Sequence, residues 1–172
     1  KAHPRDEGGK ELIKRVHEAA QKLGDNVKVA YLPNYDMRLG RLLCAGVDIW
    51  LNNPLKPLEA SGTSGMKSAL NGVPSLSTLD GWWVEGCFEG VTGWEIPDEA
   101  DAFDGAELND RRAAKALYDK LEVAAKVFYE EPTEFTKIQR QSISINGSYF
   151  NTQRMMEQYA RLAYSHVQAR LG

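Results

Sequence analysis

The stretch Glu59-Ala60-Ser61-Gly62-Thr63-Ser64-Gly65-Met66-Lys67 holds the residue types of this sequence best suited to chemistry. Small residues and glycines let a ligand come close to the main chain. The apolar spacing that follows predicts a helix from about Ser64 to Asn71, closed by Gly72. A helix start leaves unpaired N–H groups and the positive end of the peptide dipole, here at Thr63, Ser64 and Gly65. That is an anion site, most naturally for a phosphate. Lys67 falls about a turn later, where a cation is unfavourable for the dipole. A covalent role would explain it, because a lysine amine condenses with a carbonyl. A phosphate cradle beside such a lysine is what pyridoxal 5'-phosphate requires. The same residues also fit a plain tight turn before a surface helix with Lys67 solvated. They are not a P-loop, since the G-x-x-x-x-G-K-[ST] spacing is absent.

The elements around this loop alternate between strand and helix. Leu12, Ile13, Val16, Ala19, Ala20 and Leu23 recur at helical spacing over residues 9–24, and Gly24 ends the run. Val27–Leu32 is apolar and β-branched and reads as a strand ending at Pro33. A short helix is expected over 36–45, a strand over 47–51, another over 73–79 and a fourth near 93–96. Asn52, Asn53, Pro54 and Pro57 enforce a loop. After Glu107 the pattern is helical: from Asn109 or Asp110 to about Tyr129, from Pro132 to about Ile143, and from about Asn151 to Leu171. The expected fold class is α/β, part of a Rossmann-like parallel sheet with a helical C-terminal tail. The domain organisation expected is 1–108 for the sheet and cofactor loop and 109–172 for the helical segment. Roughly three or four strands fit where a doubly wound sheet has five or six. The chain therefore reads as the second half of such a sheet. A first residue of Lys1 rather than Met agrees with a fragment.

Composition narrows the classes. The chain has 172 residues, 42% apolar and 26% charged, with a formal charge of −3. That is ordinary globular composition without the basic excess of a nucleic-acid-binding domain. No stretch approaches the roughly 20 apolar residues of a membrane span. Cys44 and Cys87 lack a C-x-x-C spacing and read as reduced, buried or semi-buried thiols of a cytoplasmic protein. His3, His17 and His166 do not supply a metal site.

The run Glu59-Ala60-Ser61-Gly62-Thr63, then Met66-Lys67 and Leu70-Asn71-Gly72, resembles the pyridoxal phosphate signature of the α-glucan phosphorylases. Leu79-Asp80-Gly81, Val84-Glu85, Asn34-Tyr35 and Tyr159-Ala160-Arg161 match the same family in the same order over nearly the whole chain. Trp82-Trp83 and the compact loop before Glu59 resemble its shorter microbial branch. The resemblance implies the C-terminal domain of a GT-B glycosyltransferase. Residue by residue, Lys67 matches the lysine that binds pyridoxal 5'-phosphate covalently. Thr63 and Ser64 match positions whose amides hold its phosphate, and Tyr35 one lining its pocket. Glu59, Ser61 and Gly62 match positions that bind hydroxyls of the transferred glucose. Two positions depart from the pattern. Ser64-Gly65 stands where many relatives have Gly-Asn, and Asp36 where animal relatives have Arg.

The implied activity is reversible phosphorolysis of an α-1,4-glucan by orthophosphate to α-glucose 1-phosphate. In the family the cations around the two phosphates come largely from a Lys/Arg-rich helix upstream of the equivalent of Lys1, and the residues that embrace the glucan mostly from an N-terminal domain. The isolated chain is therefore expected to bind cofactor weakly if at all and to be inactive. Two other classes remain: a nucleotide-sugar glucan synthase of the same architecture, and a non-catalytic carbohydrate-binding fragment.

Blander roles are expected elsewhere. Of Trp82 and Trp83, at least one reads as a core or interdomain residue rather than a sugar platform. Asp80 reads as a turn cap before Gly81. Asp98, Glu99, Asp101 and Asp104 read as a solvated acidic loop, and His17 as structural. Met155, Met156, Tyr159, Leu162, Ala163 and Val167 form one apolar face, which the half-sheet does not obviously cover. Self-association of the isolated chain into homo-oligomers or aggregates is expected from it.

Overall fold

A computed structural model describes residues 2–98 and 105–164. Glu99, Asp101, Asp104, His166, Val167 and the end of the last expected helix at Leu171 lie outside the described residues. The chain divides into two compact units, Lys1–Leu42 and Leu43–Gly172.

The first unit opens with helix α1, Glu7–Leu23. Asp6 caps it by accepting from the Gly9 N–H at 2.9 Å. Gly24, at φ 55°, ends it where the sequence places the stop. His17 packs on Tyr31 with ring centroids 4.8 Å apart, a structural contact. The strand expected over 27–32 does not form. Val27 is extended, yet the segment pairs with no other strand among the described residues. A strand exists only through bonds to a neighbour, and among the described residues the first unit contains no second strand. Asp36 explains its own presence: its carboxylate accepts from the Leu39 N–H at 2.7 Å and starts helix α2, Met37–Gly46.

In the second unit, β1 (Trp50–Asn52), β2 (Ser75–Thr78) and β3 (Gly93–Ile96) form a parallel sheet in the order β1-β2-β3. Helix α3, Thr63–Leu70, lies between β1 and β2 in sequence. A one-turn helix α4, Trp83–Gly86, follows β2 and has no counterpart in the sequence reading. Trp50 stands opposite Ser75 and Leu76 opposite Trp94.

Alternation along the strands divides the packing. Leu76, Trp94 and Ile96 pack with Ala116 and Ala124 of α5 (Ala106–Glu130) and with Phe135 and Ile138 of α6 (Pro132–Gln141). Helix α5 starts at Gly105, earlier than the Asn109 or Asp110 cap expected. The Gly105 carbonyl accepts from both Leu108 and Asn109, so Asn109 sits inside the first turn. The Phe128 and Phe135 rings meet edge-on at 4.9 Å and close the α5–α6 hairpin. Trp83 is fully buried, and its Nε1 donates to the Trp94 carbonyl at 3.3 Å. Gly93 makes room for it: a Cβ there would stand 2.9 Å from the Trp83 ring and 2.1 Å from the Ser75 carbonyl oxygen.

After α6 the helix widens into a π-helical stretch, Ser142–Gly147, that packs on α3. Helix α7, Thr152–Gln158, is capped by Asn151, as the sequence places it, and runs into a second π-helical stretch, Tyr159–Tyr164. Met155, Met156, Tyr159 and Leu162 are exposed.

Candidate functional site

The loop between β1 and α3 walls an open concavity of about 440 Å³. Its lining is Trp50, Leu51 and Asn52 of β1 with the continuous run Glu59–Gly65. Glu59, Ser61, Gly62, Thr63 and Ser64, chosen from sequence, therefore share one surface. Lys67 and Tyr35 are not among the lining residues.

Local sequence builds this shape. Gly62 is left-handed (φ 88°, ψ 46°) and sits at the cap position of α3, a conformation glycine adopts without strain. It lends no side chain to the cap, so the first amides of α3 stay available. Gly65 N–H turns back to the Gly62 carbonyl at 3.1 Å, while Thr63 and Ser64 stand at the helix entrance. The Ser64 carbonyl points the other way, accepting from Ser68 Oγ at 3.0 Å and from Cys44 Sγ at 3.7 Å. Gly65, Ser68 and Ala69 form the buried side of α3.

Lys67 is exposed, and among the described residues its amine makes no hydrogen bond or ion pair. Helical spacing places it on the face of Thr63 and Ser64, three and four residues earlier. The Cα–Cβ bond of a helical residue tilts toward the helix N-terminus, which here is the loop end of α3.

Residues beyond the sequence-chosen set hold the loop. Asp80 is 9% exposed and accepts from the Glu59 N–H and the Gly81 N–H, each at 2.9 Å. Trp82 N–H donates to the Ser61 carbonyl at 2.7 Å. Its indole is buried against the two loop glycines. A Cβ on Gly62 or Gly65 would stand 2.9 or 2.7 Å from it. The sequence reading gave these glycines to ligand approach; on their Cβ side they make room for Trp82. Asn52 Nδ2 reaches Glu59 Oε2 at 3.4 Å.

Chemically, the concavity offers amides and a helix dipole to an anion, and Glu59, Ser61 and Asn52 to hydroxyl groups. Its lining contains no Lys or Arg. Tyr35 belongs to the first unit, where its hydroxyl stands 2.5 Å from the position of a Cβ on Gly40.

The fold resembles that of a solved structure that binds a nucleotide sugar. Anabaena HepE, solved in complex with UDP-glucose, superposes with a TM-score of 0.63 over 92% of this chain and 38% of its own, at 19% identity. The likeness is one of fold. Residues 1–93 match the Carbohydrate phosphorylase family. The chain belongs to that family. It is 45% identical over 98% of its length to the maltodextrin phosphorylase of Thermococcus litoralis. It is 45% identical over 96% to a glycogen phosphorylase of Mycobacterium tuberculosis, and 38% identical over 97% to one from Aquifex aeolicus. The chain spans 20% of the length of the first two and 24% of the third.

Proposed function

We propose that this chain is the cofactor-bearing C-terminal portion of a pyridoxal-phosphate-dependent α-1,4-glucan phosphorylase. The observation that carries it is the concavity at the start of α3, lined by Trp50–Asn52 and Glu59–Gly65, within the stretch that matches the family. The residues fit the cofactor. Thr63 and Ser64 amides would hold its phosphate, and Lys67, an unpaired amine on the same helix face, would bind it covalently. When bound, pyridoxal 5'-phosphate supplies a phosphate whose second pKa of about 6 lets it exchange a proton near neutrality.

Glu59, Ser61 and Gly62 would hold the hydroxyls of the terminal glucose. A phosphate oxygen then bonds to the anomeric carbon while the α-1,4 bond breaks. The departing glucan oxygen takes a proton from the incoming phosphate. The products are α-glucose 1-phosphate and a shortened glucan.

The charges decide whether this chain suffices. Two phosphates about 4 Å apart repel by about 4 kcal/mol per pair of unit charges at an effective dielectric of about 20. A helix N-terminus returns about 0.3–1 kcal/mol per anion. With no Lys or Arg in the lining, balance requires cations from the remainder of a longer protein, the N-terminal part that the relatives possess. Phosphorolysis of maltodextrin tests the proposal. The intact phosphorylase containing this sequence should release glucose 1-phosphate, and the 172-residue chain alone should not. Release by the isolated chain would refute the division of labour, and no release by the intact protein would refute the function.

A further inference from the structure

We infer that Asp80 is a positioning residue for the sugar-facing half of the loop, an inference that rests on the proposed phosphorylase reading. Asp80 is not in the concavity lining. It ties two segments distant in sequence. One carboxylate oxygen takes the Glu59 N–H and the other the Gly81 N–H, both at 2.9 Å. One residue on, Gly81 at φ 56° passes so close that a Cβ would stand 2.5 Å from the Ser61 carbonyl oxygen and 2.9 Å from Glu59 Cγ. Trp82 N–H then bonds the same Ser61 carbonyl at 2.7 Å. The turn after β2 thus fixes the backbone at both Glu59 and Ser61. Thr63 and Ser64, by contrast, are placed by α3 itself. The concavity has two halves with different backbone anchors: a hydroxyl-facing half hung from Asp80 and an anion-facing half built on the helix, with the Trp82 indole packed against both.

An ionised carboxylate only accepts, so it serves two N–H groups at once. Asp80→Asn puts an NH2 against one of them, which breaks one charge-assisted bond while keeping shape. Losing a hydrogen bond to a charged group corresponds to roughly tenfold to a hundredfold in affinity. A simple turn cap would lose stability without separating the two halves.

The test uses the intact phosphorylase containing this sequence, loaded with cofactor. Glucose and inorganic phosphate binding are measured separately by titration calorimetry, beside the absorbance of the cofactor. In Asp80→Asn, glucose affinity should fall about tenfold to a hundredfold, with phosphate affinity and cofactor absorbance unchanged. Gly81→Ala pushes a Cβ onto Ser61 from the other side and should give the same split; it decides the matter if Asp80→Asn does not fold. Unchanged glucose affinity in the folded variant, or equal losses for glucose and phosphate, overturns the inference. Failure of the unmutated protein to take up cofactor at Lys67 would instead overturn the phosphorylase reading itself.

Discussion

At the scale of single residues, the loop glycines and Cys87 make sharp statements. Gly62 and Gly65 face Trp82 at 2.9 and 2.7 Å, and Gly62 is also left-handed. Gly65→Ala overpacks that contact and should cost about 1–3 kcal/mol in urea unfolding. An unchanged midpoint would show that the indole moves aside freely. The Cys87 thiol is pushed up to about 12, first by burial and then by the carboxylates of Glu89 and Glu95, with Lys120 opposing. The folded chain therefore holds this proton more tightly than the unfolded chain. Its contribution to stability is complete below the unfolded pKa of about 8.5 and is lost as pH rises toward about 12. At pH 8, Cys87 should resist iodoacetamide in the folded chain and react once unfolded, read by peptide mass. Rapid alkylation of the folded chain would contradict that microenvironment.

Among the elements, the α5–α6 hairpin and the sheet behave as one core. Phe135 is 5% exposed and joins Phe128 to Trp94. Phe135→Ala should destabilise by about 3–5 kcal/mol, measured by denaturant unfolding. A loss below 1 kcal/mol would mean that the hairpin repacks. The sheet strands near 50, 75 and 93 were legible because each is a short apolar or β-branched run bounded by turn residues. The segment 27–32 has the same local signature and no partner, which no local pattern reports. Helix α4 escaped because its single turn is too short to show a period; at least one of Trp82 and Trp83 was read as core or interdomain, and both are buried. The loop and α3 were legible for local reasons: small residues, a helix entrance and a lysine one turn in. The Asp80 cap on Gly81 was legible as well; the hold of Asp80 on Glu59 and of Trp82 on the loop was not. Their role depends on the sheet bringing residue 80 beside residue 59, a separation of 21 in sequence.

For the whole molecule, apolar surface in each unit remains exposed. In the first unit Val27, Val29 and Leu32 are exposed, and in the second Met155, Met156 and Leu162. Such surface favours association. The isolated chain should sediment as dimers or larger species at high concentration, and a clean monomer would contradict that expectation. Among the described residues no helix is long and apolar enough to cross a membrane. The relatives are about five times as long as the chain, 20% of their length being matched.

The most direct test of the central claim is borohydride reduction of the intact phosphorylase containing this sequence, incubated with pyridoxal 5'-phosphate, followed by proteolysis and mass spectrometry. The peptide containing Lys67 should carry one reduced pyridoxal phosphate group, and Lys67→Ala should carry none at that site. A modified lysine elsewhere, with Lys67 untouched, would contradict the account.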